Sequence, residues 1–330
     1  MNVETLVYAL IGWLVGVLIN HAADTIPRHA RLNTIPRCEF CDSPRAPAAW
    51  SAVIGYLSGR RMCLGCSAPL PIRSVAVELI APAIFVGLLW RYGPSVHLGL
   101  LSLYTAILIL VTVIDLEHHL IPHVVMVPAI LLAIVGAFFN EDMSFRRALL
   151  GGAVGFLSVY GLFLLAQPIS VLMGRLSGRE VNEVPFGFGD VTLGAFVGLI
   201  TGLPGVFFAL LITLLAAGFG AAVFWFVQAL VLRRYTLFTA IPYGPFLALG
   251  GFIMMVYGPE ILQWYMPASE CARSQGYIKC VYWSTNASKA GLPFQNITLK
   301  LSQAVYVQLL WRNQAYRSLT SEYFDGVMSF

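Results

Sequence analysis

Long apolar runs broken by short polar stretches fill most of the first 265 residues. A helix needs about 20 apolar residues to cross a bilayer. By that measure the pattern predicts about eight membrane helices, in residues 3–23, 75–90, 97–114, 123–139, 148–174, 191–205, 206–232 and 241–265. The second and sixth runs are short. The sixth is parted from the seventh by Gly202, Leu203, Pro204 and Gly205, a turn composition. The expectation is an all-α polytopic membrane protein. Residues 1–23 form its first transmembrane helix, 24–74 a cytoplasmic four-cysteine loop, 75–265 a transmembrane core and 266–330 a polar tail. No internal repeat or low-complexity tract stands out.

Composition strengthens this picture. Hydrophobic residues make up 58% of the chain and charged residues 11%, whereas a soluble domain carries about a quarter charged residues. Mean hydropathy is +0.77, so most of the surface must face lipid or other apolar helices. The first run has no convincing cleavage site after it and reads as a retained helix rather than a removed signal peptide.

Arginine placement sets an expected orientation. Arg28, Arg31, Arg37, Arg45, Arg60, Arg61 and Arg73 crowd the loop after the first run, Arg175 and Arg179 follow the fifth, and Arg233 and Arg234 follow the seventh. The alternate loops hold Arg91, Arg146 and Arg147. The first group is therefore expected in the cytoplasm, with the N-terminus and the C-terminal tail outside. The net charge of +4 is a topology signal and gives no reason to invoke nucleic acid.

The cytoplasmic loop carries two Cys-x-x-Cys pairs, Cys38 with Cys41 and Cys63 with Cys66. Two such pairs can bring four thiolates to one tetrahedral zinc. In a reducing compartment zinc is favoured over disulfides, and the neighbouring arginines favour thiolates. The metal is expected to be structural, because so short a loop has little core of its own.

Ionisable residues in apolar spans are costly and mark function by default. Asp115 ends the third run in "LILVTVIDLEHHLIPH", and Asp190 opens the sixth in "FGFGDVTLG". Both are expected at the cytoplasmic edge. Two carboxylates brought together there do not both ionise easily and share a proton. One can then activate water while the other donates to a carbonyl, as in aspartic proteases. Set against this, a lone Asp at a helix end commonly caps it or anchors it at the interface. Gly187 and Gly189 would let an extended substrate backbone approach, and Pro122 predicts a helix break near Asp115. Glu78 lies near the start of the second run, facing either Arg73 or a cytoplasmic cleft. His118, His119 and His123 read as interfacial residues rather than a second metal site.

Taken in order, these segments resemble the type IV prepilin peptidases, intramembrane aspartyl proteases of the GxGD type. The resemblance runs from Gly16, Asn20 and Pro27 through the cysteine loop, then Arg73, Val77, Glu78 and Leu79. It continues through Asp115 with Pro122, through Gly187, Gly189 and Asp190, and through "IPYGPFLALGG" with Pro242, Gly244 and Pro245. His123 and Thr192 depart from the residues most common in that family. The resemblance implies cleavage of the basic leader of type IV prepilins or pseudopilins at the cytoplasmic face of the bacterial inner membrane. It implies Asp115 and Asp190 as the catalytic pair, with Glu78, Pro122, Gly187, Gly189, Pro242 and Gly244 in support. Members with the long cysteine loop often also methylate the new N-terminus from S-adenosylmethionine, and no glycine-rich fingerprint assigns residues to that cofactor.

Two readings of other classes stay open on sequence alone. Intramembrane carboxylates serve proton-coupled transporters, although no inverted repeat is visible. A non-catalytic scaffold of a pilus or secretion system would tolerate loss of both aspartates. The tail, with Cys271, Cys280 and Asn-x-Ser/Thr triplets at Asn286 and Asn296, lies outside the resemblance. Its two cysteines could pair, which spacing alone does not decide.

Overall fold

A backbone inside a bilayer must pair its polar groups within the segment that crosses, which selects helices for the apolar runs. The computed structural model describes residues 2–30, 33–140, 143–177, 187–227, 230, 242–265, 269–274, 277–282 and 296–300. α1 (Val3–Thr25) is followed by a loop holding the short α2 (Ala52–Leu57), then by α3 (Ile72–Tyr92), α4 (Val96–His118), α5 (His123–Phe139), α6 (Phe145–Ser177), α7 (Phe188–Thr201), α8 (Gly205–Val227) and α9 (Gly244–Tyr265). Six of these are long and apolar enough to cross a membrane, while α5 and α7 are shorter apolar helices. The protein is a multi-pass, helical membrane protein.

α5 has the bounds that the apolar pattern predicts. α7 does not: it begins at Phe188, three residues before the expected start, so Asp190 lies inside its first turn. α9 begins at Gly244, three residues late. Residue contacts divide the chain into Met1–Val256 and Tyr257–Phe330. The second unit contains an antiparallel sheet that the sequence pattern did not foresee. Its strands are β1 (Ser269–Ser274), β2 (Tyr277–Tyr282) and β3 (Asn296–Lys300), in the order β1-β2-β3. Cys271 and Cys280 stand directly opposite one another in the β1–β2 register.

Two glycine-lined seams set the helix packing. Lipid gives helices no hydrophobic reason to associate, so close backbone approach through small residues takes over. On α1, a Cβ at Gly12 would lie 2.6 Å from Pro82 Cα, and one at Gly16 would lie 3.1 Å from Glu78 Cα. On α6, Gly151 and Gly155 are backed against the carbonyls of Gly198 and Gly194 in α7, where no Cβ fits. The first seam joins α1 to α3, and the second fixes the helix that carries Asp190. Buried Ile19, Ala23, Val77, Val113 and Ile114 bring α1, α3 and α4 together immediately beside Asp115.

Glu78 holds the loop onto this frame. It is 1% exposed and accepts from Ser51 Oγ at 2.5 Å, Ala52 N at 2.7 Å and Val53 N at 3.0 Å. Asn20 Nδ2 donates to it at 3.3 Å. A carboxylate at a helix N-terminus meets unpaired N–H groups there; here it comes from a different helix and caps α2.

Candidate active site and metal centre

Asp115 lies in the last turn of α4. The helix stops because His119 takes the left-handed conformation (φ 50°, ψ 42°), its N–H donating to the Asp115 carbonyl at 3.0 Å. The chain then turns through Leu120 and Ile121. Pro122 (φ −74°, ψ 128°) opens α5, its carbonyl accepting from Val125 N–H at 3.0 Å.

Asp190 is the third residue of α7, and its Oδ2 accepts the Gly187 N–H at 3.0 Å. It therefore caps its own helix start. Gly189 has a packing role: a Cβ there would lie 2.6 Å from Ile121 Cβ and 2.9 Å from the Ile121 carbonyl oxygen. Only glycine lets α7 approach the α4–α5 linker so closely. Gly187 is exposed, and beyond its own turn nothing lies within 4 Å of where its Cβ would be.

The third wall comes from α9. Gly244 N–H, free of an intrahelical partner at the helix start, donates to Asp115 Oδ2 at 3.1 Å. A Cβ on Gly244 would lie 2.5 Å from that oxygen and 3.1 Å from Ile121 Cδ1. Ile121 thus touches both glycines and seals the floor between α7 and α9. Asp115 is 5% exposed and Asp190 8%, and they are near enough for their charges to interact.

Pro242 is half-buried just ahead of α9. Tyr243, between it and Gly244, is a residue that sequence reasoning passed over. Burial, and then the Asp190 charge, push its phenol up to about 12. The "IPYGP" stretch was visible, but an aromatic residue at a membrane interface is too common to single out. His123 packs edge-on against Phe188 of α7 at 5.7 Å between ring centres. Glu78 belongs to the loop's anchorage, among Asn20, Ser51, Ala52 and Val53, rather than to this cluster.

The four loop cysteines do come together: Cys38, Cys41, Cys63 and Cys66 place their sulfurs within 4.8 Å of one another. Cys38 and Cys66 are separated by 3.6 Å and Cys41 and Cys63 by 3.5 Å. Tetrahedral ligands at about 2.3 Å from zinc stand about 3.8 Å apart, so the cluster fits a zinc ion. Each pair sits in the same turn. Asp42 and Ser67 follow the second cysteine with positive φ (56° and 58°). Bridges Arg37↔Pro44 and Met62↔Pro69 close the two turns. "RCEFCDSP" and "MCLGCSAP" are thus a short repeat, too brief to stand out in the chain as a whole. The Ser43 hydroxyl, 3.2 Å from Cys63 Sγ, leads the contacts that hold that thiol down at about 5.

Comparison with known proteins decides the family. The model of the Type IV leader peptidase family matches residues 102–226, and that of the Bacterial Peptidase A24 N-terminal domain matches residues 10–92. A prepilin leader peptidase/N-methyltransferase of Dichelobacter nodosus is 30% identical over 237 residues, covering 70% of this chain and 75% of that protein. The chain belongs to the type IV leader peptidase family. Proteins of the same description from Pseudomonas putida (30% identical; 72% of this chain, 77% of theirs) and Bacillus subtilis (26%; 78% and 96%) are also similar. No solved structure matches. The leader peptidase match takes in Asp115 and Asp190, and the N-terminal match takes in the four cysteines, Arg73 and Glu78. Gly244 and the tail lie beyond both.

Proposed function

We propose that the protein is a membrane aspartic endopeptidase that removes the leader peptide of type IV prepilins or pseudopilins. The observation that carries this reading is the convergence of Asp115 and Asp190. They come from helices far apart in the chain, are buried at 5% and 8% exposure, and sit on elements that pack together through Ile121, which meets Gly189 beside Asp190 and Gly244 beside Asp115. Membership of a leader peptidase family and the names of its relatives supply the substrate class.

The chemistry needs no covalent intermediate. One carboxylate takes a proton from water as the water oxygen attacks the scissile carbonyl carbon, and the other, protonated, donates to the carbonyl oxygen. The first carboxylate then passes its proton to the leaving nitrogen as the C–N bond breaks. The diol returns a proton to the second, restoring the starting pair. Gly244 N–H orients Asp115 and Gly187 N–H orients Asp190. The exposed Gly187 leaves backbone space for an extended substrate.

The arginine-rich loops support a cytoplasmic loop face, which would carry the ends of α4 and α7 that bear the aspartates. The same bias supports termini outside, and membership of the family supports a bacterial inner-membrane location. Cys38, Cys41, Cys63 and Cys66 would hold a structural zinc that organises the loop, and metal analysis of purified protein should find one zinc per chain.

N-methylation of the new N-terminus is proposed from the relatives' names. A cleft beside the loop is lined by Asn20, Asp24, Arg45, Trp50, Ser74 and Glu78. No glycine-rich fingerprint assigns residues to S-adenosylmethionine, and no step is assigned through it.

The deciding experiment co-expresses a prepilin with wild type, Asp115→Asn or Asp190→Asn and measures the mass of the product N-terminus. Each variant should be folded and inactive, and wild-type product should carry a methyl group. Cleavage by both variants would overturn the peptidase reading.

A further inference from the structure

Arg73 stands where three parts of the chain meet. It is the second residue of α3, and its guanidinium pairs with Asp24 at the end of α1, with Glu39 at 3.3 Å and with Glu117 in the last turn of α4. Glu39 lies between Cys38 and Cys41, and Glu117 lies two residues beyond Asp115. The four side chains are 14% to 31% exposed, so bulk water screens this cluster less than a surface pair. A guanidinium presents five N–H donors in a rigid planar fork and can serve carboxylates arriving from different directions. A lysine ammonium in the same place offers a point charge without that fixed geometry.

The geometry of α4 gives this cluster a purpose. Two residues along a helix are about 200° of rotation, so Asp115 and Glu117 leave the helix on opposite sides. One side is held by Gly244 N–H on Asp115, the other by Arg73 on Glu117. Between them they fix the last turn where the ladder of helical hydrogen bonds runs out. Because Glu39 rides on the first cysteine turn, the folded state of that turn is tied to the same guanidinium.

We propose that Arg73 is a positioning residue for peptide hydrolysis, linking the four-cysteine turns to the last turn of α4 and so holding Asp115 against Asp190. This rests on the peptidase reading above. Arg73 touches no reacting atom and acts only through where Asp115 stands.

The test uses purified, zinc-loaded, full-length protein in detergent and a purified prepilin. It measures kcat and KM for wild type, Arg73→Gln, Arg73→Lys and Glu117→Gln, with zinc content for each. A displacement of an ångström at a reacting group costs on the order of 100-fold. Arg73→Gln and Glu117→Gln should therefore lower kcat by roughly 10- to 100-fold with KM within about twofold of wild type, and Arg73→Lys should recover part of the loss. Glu117→Gln should keep its zinc. Chelating the zinc should lower wild-type kcat and add little to the loss in Glu117→Gln, the non-additivity expected of one connected network.

Wild-type kcat in zinc-loaded Glu117→Gln, or an equal fold-loss on chelation in both proteins, would overturn the proposal. If Arg73→Gln does not fold, Glu117→Gln decides alone, because it leaves Arg73 paired with Asp24 and Glu39. An inactive Asp115→Asn beside a fully active Glu117→Gln sinks this inference only, whereas an active Asp115→Asn sinks the peptidase reading itself.

Discussion

The backbone N–H of Gly244 donates to Oδ2 of Asp115 at 3.1 Å, across 129 residues of sequence. The same glycine leaves no space for a side chain, since a Cβ would lie 2.5 Å from that oxygen. One position therefore supplies the donor that orients the carboxylate and the clearance that lets it sit there.

Gly244→Ala should consequently disable the site without unfolding the protein. The added methyl either displaces Asp115 or moves the start of α9, and either breaks the hydrogen bond. Prepilin cleavage should fall by about 10- to 100-fold, with the thermal midpoint in detergent lowered only modestly. Unchanged kcat would show that Asp115 does not need this donor.

The seam between α6 and α7 predicts a stability effect of a different kind. Gly198→Val introduces a branched side chain against the Gly151 carbonyl and Gly152 Cα, and overpacking of this sort costs about 1–3 kcal/mol or more. Thermal unfolding of the purified variant measures the loss. A variant as stable as wild type would mean that the two helices separate easily.

Glu78→Ala removes the acceptor for Ser51, Ala52, Val53 and Asn20 at once. Leaving buried donors unpaired should cost at least about 2 kcal/mol. Limited proteolysis should then cut near α2 faster than in wild type. Zinc should be retained, because all four thiols remain. Loss of zinc from this variant would mean that the cysteine turns depend on α2 for their own folding.

Much of the architecture was legible because bilayer physics simplifies the code. Apolar runs near 20 residues mark helices, and α5 matches its predicted bounds throughout. The start of α7 was not legible. Two glycines in "FGFGD" argue against helix by propensity, yet packing against Ile121 and the Asp190 cap carry the helix back to Phe188. The pair Asp115 and Asp190 could be singled out by the cost of charge in apolar surroundings. Arg73 and Tyr243 could not be assigned roles, and Glu78, expected in support of the catalytic pair, was not foreseen as the cap of α2, because their partners lie in segments remote from them in sequence. Gly189 was visible as a small residue near a carboxylate; that its smallness serves Ile121 rather than an incoming backbone needed the third dimension. The two cysteine turns were readable singly, and their repetition became evident from matching bridges and left-handed residues.

The seam of Gly151, Gly155, Gly194 and Gly198 also limits how anything large can reach the aspartates. Where two main chains touch without side chains between them, a third polypeptide cannot slip through unless the helices are pried fully apart. A way in for a substrate would then lie elsewhere around the bundle, away from the wall on which Asp190 is mounted.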